Sequence, residues 1–126
     1  MLCAVAQELK LKPGRAQKLA TGFGGGIARK GLACGALTGA AMAVGLALGR
    51  TRPWDKEAKD RVYALVAGLE RDFLRKAWAF NCREITGLDF RKPGDQKRYT
   101  ATVHHKVCAP IVAYMVMQTV KKLRKI

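Results

Sequence analysis

Gly31-Leu32-Ala33-Cys34-Gly35-Ala36-Leu37-Thr38-Gly39-Ala40-Ala41-Met42-Ala43-Val44-Gly45-Leu46-Ala47-Leu48-Gly49 runs for nineteen residues without a charge. Side chains this small and apolar do not form a solvated surface element, so the stretch must be buried, and the rest of the chain has to bury it. Gly31, Gly35 and Gly39 recur every fourth residue, and Gly45 and Gly49 repeat the interval. On a helix that spacing lines one face with missing side chains, open to close approach by another backbone or a bulky ligand. Cys34 falls at the start of this helix, after Gly22-Phe23-Gly24-Gly25-Gly26 and the basic pair Arg29-Lys30. Unpaired N–H groups and the positive dipole end favour the thiolate there, the form that ligates metal or attacks.

On the N-terminal side, Leu2, Val5, Ala6 and Leu9 hold helical spacing across Met1 to Lys10, with Cys3 on or beside that face. The helix begins abruptly and reads as the remainder of a longer one. Pro13-Gly14 punctuates, and Arg15 to Ala20 reads as a short second helix ended by Gly22. The glycine run Gly22 to Gly26 suggests a phosphate cradle. No Lys-Ser or Lys-Thr follows it and no strand precedes it, so tight packing of the loop around Cys34 is the commoner reading.

On the C-terminal side, Arg50-Thr51-Arg52-Pro53 is a basic link, and Pro53, Asp55 and Glu57 mark a helix start. Val62, Leu65, Val66, Leu69, Phe73, Ala77 and Phe80 then keep one apolar face, with most of the lysines and arginines off it. Asn81 to Gly87 reads as a further turn or two, with Asn81 as cap and Gly87 as terminator. Leu88 to Thr100 is polar, contains Pro93-Gly94 and is expected as a surface loop. The last helix is expected from about His104 to Leu123, with Cys108, Ile111, Val112, Met115, Val116, Thr119 and Val120 inward. No stretch sustains strand alternation. The fold class is therefore all-α, a compact helical bundle around the buried Gly/Ala-rich helix, and residues 1–126 form one domain.

Composition narrows the partners. The chain has 24 basic and 9 acidic residues and a net charge of +15, which predicts attraction to nucleic acid, anionic lipid or an acidic protein. Its aromatics fall mostly on buried faces, with no stacking platform for bases, so the charge reads as a solvated basic coat, with nucleic-acid binding as the alternative. The long uncharged stretch could just span a bilayer, but its alanine and glycine insert weakly and the amphipathic neighbours need a core helix, so it is not expected to be transmembrane. No secretory signal is visible, which points to a reducing cytoplasm.

Cys3, Cys34, Cys82 and Cys108 lie far apart in sequence, unlike zinc fingers or ferredoxins, and can meet only through the fold. Taken singly, a cysteine on an apolar face is more often a small hydrophobe than a ligand. His104 and His105, one turn before Cys108, could add a ligand, although exposed histidines are commoner near a helix start. No Ser/His/Asp set and no paired carboxylates are visible, so an electron carrier or metal-binding module is expected over a hydrolytic enzyme.

Cys3-Ala4-Val5, Ala20-Thr21-Gly22-Phe23-Gly24-Gly25-Gly26, Cys34-Gly35-Ala36-Leu37-Thr38-Gly39-Ala40, Cys82-Arg83-Glu84-Ile85-Thr86-Gly87 and Cys108 together resemble the small family of proposed redox-active proteins named for a CGAxxG motif and four cysteines. The likeness covers essentially the whole chain. It implies a compact helical domain whose four cysteines hold an iron–sulfur cluster for electron transfer. It also implies a link to transporter systems, since members are often encoded beside transporter genes, and hence an acidic redox partner or a membrane-associated transporter. Zinc in a closed structural site is the alternative on thiolate chemistry alone. On this reading Cys3, Cys34, Cys82 and Cys108 converge at the end of the buried helix, with Arg29, Lys30 and Arg83 offsetting the charge. No Cys-x-x-Cys-His occurs, which excludes covalent haem attachment of that kind.

Overall fold

The computed structural model describes all 126 residues, and every regular element in it is helical. In chain order the α-helices are α1 (Leu2–Glu8), α2 (Ala16–Ala20), α3 (Gly35–Leu48), α4 (Lys56–Ala77), α5 (Cys82–Thr86), α6 (Pro93–Arg98) and α7 (Ala109–Arg124), with a single 3₁₀ turn at Thr21–Phe23 after α2. A widened helical segment, Tyr99–Cys108, joins α6 to α7. The all-α class expected from the sequence is what the chain adopts.

The uncharged stretch becomes α3, and α1, α4 and α7 pack around it. Ala36, Ala40 and Val44 of α3 meet Leu69, Phe73 and Ala77 of α4 and Ile111 and Met115 of α7 in the main core. Small side chains on α3 let the larger ones on α4 and α7 interdigitate at close range. Leu2 and Val5 of α1, with Ala43 and Val120, make a second cluster. Of the glycines within α3, Gly39 is where the close approach is realised: a Cβ there would lie 2.8 Å from the Cβ and Cγ of Met1. No helix of the chain is long and apolar enough to cross a membrane.

Helix α4 starts where the Asp55 carboxylate accepts from the Ala58 N–H at 2.9 Å, satisfying one unpaired donor of the first turn. Its apolar face does not reach Phe80 as the periodicity suggests. Trp78 turns left-handed at φ 57° and stops the helix after Ala77, and Phe80 is left exposed. Asp72 is buried on this helix and pairs with Lys122 of α7 at 3.1 Å and with Arg75 at 3.2 Å. Gly68, one turn earlier, leaves the room that the Lys122 ammonium occupies, since a Cβ there would be 3.3 Å from Nζ.

The expected loop from Leu88 to Thr100 is largely helix. Pro93 stands at the first helical position, where its fixed φ is favourable and its missing N–H costs nothing, so α6 begins there with Lys92 as cap. The backbone stays in the right-handed region through Tyr99, Cys108 and Ala109, so α6 and α7 are two ends of one continuous rod. Between them the winding widens to i→i−5 bonding. Pro110 explains the place of this change: it has no N–H to donate and its ring would crowd the carbonyl of Lys106 in a regular α-helix.

Candidate functional site

Cys34 and Cys82 are 48 positions apart, and a short antiparallel pairing closes that gap. Ala33 bridges to Asn81; the Cys34 N–H donates to the Phe80 carbonyl at 2.9 Å, and the Cys82 N–H to the Leu32 carbonyl at 2.8 Å. Arg83 continues the pairing through its N–H to the Gly31 carbonyl at 3.0 Å, and its guanidinium donates to the Lys30 carbonyl at 3.1 Å. Gly31 is required here, because it has φ +72° and a Cβ would lie 3.0 Å from the Cβ of Arg83. The pairing ends by delivering Cys34 as the N-cap of α3 and Cys82 as the first residue of α5. Asn81 caps α5 through its extended backbone with no side-chain bond, and Gly87 ends it at φ 67°.

The third thiol comes from the widened segment. Cys108 closes it, and Tyr99 opens it nine positions earlier. In an α-helix of 3.6 residues per turn, residues nine apart face opposite ways; at the roughly 4.4 residues per turn of i→i−5 winding they return to one face. Tyr99 and Cys108 accordingly line the same cavity, and the Tyr99 hydroxyl acts to lower the Cys108 thiol. Cys34, Cys82 and Cys108 line one cavity of about 300 Å³, with Thr38, Phe90 and Tyr99 among its other walls. The Thr38 hydroxyl, one turn beyond Cys34, is buried without a hydrogen-bond partner.

The three thiols are electrostatically unequal. Cys34 is lowered to about 7, first because the Cys82 thiol donates to its sulfur, then through the N–H groups of Ala36 and Leu37, against the opposing effect of burial. Cys82, as the donor of that bond, is held well above the ordinary thiol range, with burial and the charge on Cys34 adding to the effect. Cys108 is raised by burial and by the Cys34 charge, and the Tyr99 hydroxyl acts the other way. Cys34 is thus the first of the set to become a thiolate.

The structure does not bring Cys3 into this group. Leu2, Val5 and Ala6 turn inward from α1 while Cys3 is exposed; Met1, the N-cap of that helix, is the residue that lines the cavity. His104 and His105 are exposed and do not line it either, although the His104 ring stands 5.4 Å from that of Tyr99. The chain also has no cluster of three or more His, Cys, Asp or Glu side chains at single-ion spacing. Sequence reasoning does not single out Tyr99 or Thr38. Thr38 could have been found at i+4 from Cys34, but Tyr99 is invisible to any reading that assumes 3.6 residues per turn.

The glycine loop holds the remaining wall. Gly25, Gly26, Ile27, Ala28 and Arg29 all have positive φ, between 50° and 70°. The Ala28 N–H reaches back to the Gly22 carbonyl at 2.9 Å and that of Arg29 to Gly24 at 3.0 Å. Gly26 packs so closely on Leu32 that a Cβ would lie 2.5 Å from its carbonyl oxygen. The loop thus packs tightly on Leu32, two residues before Cys34, while Phe23, Gly24 and Gly25 line the cysteine cavity.

A family model described as "Putative redox-active protein (C_GCAxxG_C_C)" matches residues 1–123. No curated protein and no solved structure gives a significant match.

Proposed function

We propose, from the premise that the chain belongs to the C_GCAxxG_C_C family, that Cys34, Cys82 and Cys108 form its redox centre and hold an iron–sulfur cluster for electron transfer. The observation that carries this reading is the convergence of three thiols from three separate elements on one cavity, beside a buried hydroxyl with no partner. Soft thiolates suit such clusters, and N–H or O–H donors aimed at sulfur tune them. The cluster, when bound, supplies one-electron storage. The chain's own residues prepare for it. Cys34 ionises near neutrality, the Ala36 and Leu37 N–H groups hold its negative charge, and the unpaired Thr38 hydroxyl is a donor in reserve. Cys3, exposed and outside the cavity, is not a member of the set in this arrangement.

Anaerobic reconstitution followed by iron and sulfide analysis and absorption spectra tests this. Serine at Cys34, Cys82 or Cys108 should abolish the cluster, whereas Cys3→Ser should retain it. A wild-type chain that binds zinc and no iron and sulfide would replace the electron carrier by a structural zinc protein. The +15 charge supports an acidic redox partner, a transporter-associated protein in the reducing cytoplasm among them. Nucleic-acid binding would instead show as affinity falling steeply with salt.

A second reading is favoured by the backbone pairing that sets Cys34 and Cys82 side by side on one cavity, with their thiols shifted in opposite directions. A thiolate beside a protonated thiol is the pairing of a dithiol redox couple, working without metal. Mass spectrometry of the mildly oxidised, metal-free chain should then find a Cys34–Cys82 disulfide, and its absence would remove this reading.

A further inference from the structure

A second and larger cavity, about 600 Å³, shares Gly24, Gly25, Phe90 and Tyr99 with the cysteine cavity as a common wall. Its volume is that of small-molecule sites. The chemistry of its lining is selective. Arg29 is the one charged residue in it, no carboxylate opposes it, and its guanidinium makes no ion pair or hydrogen bond elsewhere in the chain. The Thr21 and Thr100 hydroxyls already donate to the Gln17 and Gln96 carbonyls, at 3.3 and 3.1 Å, and Gln96 Nε2 donates to the Phe90 carbonyl at 2.7 Å. The strong donor left for a ligand is Arg29. In the same lining, the Phe90 and Tyr99 rings meet edge to face at 5.1 Å and make an apolar wall.

Arg29 is held in place at a conformational cost. Its φ is 63°, its N–H is bonded to Gly24, and a Cβ at Gly25 would lie 2.9 Å from its Cα. The left-handed region is unfavourable for an L-residue, and strain of this kind gathers at ligand clamps.

We propose that this cleft binds a small organic anion, a carboxylate with a flat apolar body, with Arg29 gripping the carboxylate and Phe90 and Tyr99 flanking the body. Tyr99 belongs to both cavities, so a ligand there lies one side chain from Cys108. The site goes beyond the redox reading, and its test does not depend on what the cysteines bind.

Benzoate is the probe, titrated into the full anaerobically purified chain and followed by backbone amide NMR. Saturable shifts are expected at Gly24, Gly25, Ala28 and Thr100. Acetate, which has the charge without the ring, and benzyl alcohol, which has the ring without the charge, should each bind at least about tenfold more weakly. Arg29→Gln should weaken benzoate about tenfold, while Arg52→Gln, which removes the same charge from an exposed position outside the cleft, should leave it unchanged. In the unmutated chain benzoate should also slow phenylglyoxal modification of Arg29, a readout that survives if the variant fails to fold. Shifts spread over the basic surface, equal binding of acetate, equal losses in the two arginine variants, or unprotected Arg29 would each overturn the proposal.

Discussion

The two ends of α3 are built by different rules. Along most of its length Ala40, Ala43 and Val44 meet α1, α4 and α7 in ordinary helix packing, and every partner follows a three-and-four spacing. At its first residue the same helix is met by a run of positive φ, an antiparallel bridge and a stretch of i→i−5 winding. Regular periodicity specifies where bulk is buried, whereas the cysteine cavity is assembled from departures from it. Stability should therefore reside at one end and chemistry at the other.

The largest effect should come from the regular end. Phe73 is fully buried against α3 and α7, and Phe73→Ala should cost about 3–5 kcal/mol in urea unfolding. Cys34→Ser should cost under about 1 kcal/mol in the same measurement, since Cys34 lies at the edge of the core. Equal losses would erase the contrast.

Next in size is a change in reactivity at the irregular end. In the reduced, metal-free chain the Cys34 thiolate forms as pH rises through about 7, so its alkylation rate should climb across that pH and level off above it. Cys82→Ala removes the first cause of that lowering, so the midpoint should move up toward the ordinary 9.0, and the rate at pH 7 should fall about tenfold or more. Mass spectrometry separates Cys34 from the other thiols. An unmoved midpoint would assign the shift to the Ala36 and Leu37 N–H groups instead.

A smaller effect has the opposite sign. Ala28 is held at φ 50° with its single methyl on an exposed residue. Ala28→Gly relieves the left-handed cost while giving up little burial, so it should stabilise the chain by up to about 1 kcal/mol. Destabilisation would mean that the loop is fastened by Ala28 packing and not by its hydrogen bonds.

How far the sequence was legible follows from the same contrast. The buried stretch, Cys34 at its start, the apolar face of α4 and the Gly87 terminator all rest on local chemistry and were readable in advance. The helix from Pro93 was not, because Pro93-Gly94 signals a turn as well as a first helical turn, and only tertiary context chooses. Cys3 could be placed no better than on or beside the apolar face, where one residue of rotation decides between cavity and solvent. The Cys34–Cys82 pairing is a two-rung contact between distant segments, too short to leave any alternation in the sequence.

The smallest predicted effect tests the widened winding itself. Burial and the Cys34 charge raise Cys108, and the Tyr99 hydroxyl is the one group holding it down. Tyr99→Phe keeps the ring against Phe90 and removes only the donor, so the Cys108 thiol should rise further and its alkylation at a fixed mildly alkaline pH should slow. One hydrogen bond of about 0.5–1.5 kcal/mol corresponds to a roughly two- to tenfold change in rate, with stability altered by no more than that energy. Tyr114→Phe, farther along the same rod and outside the cavity, should leave Cys108 untouched. Were Tyr99–Cys108 wound as an ordinary α-helix, Tyr99 would face away from the thiol and the two variants would behave alike. A selective loss in Tyr99→Phe is therefore a solution measurement of the i→i−5 turn that brings Cys108 to its partners.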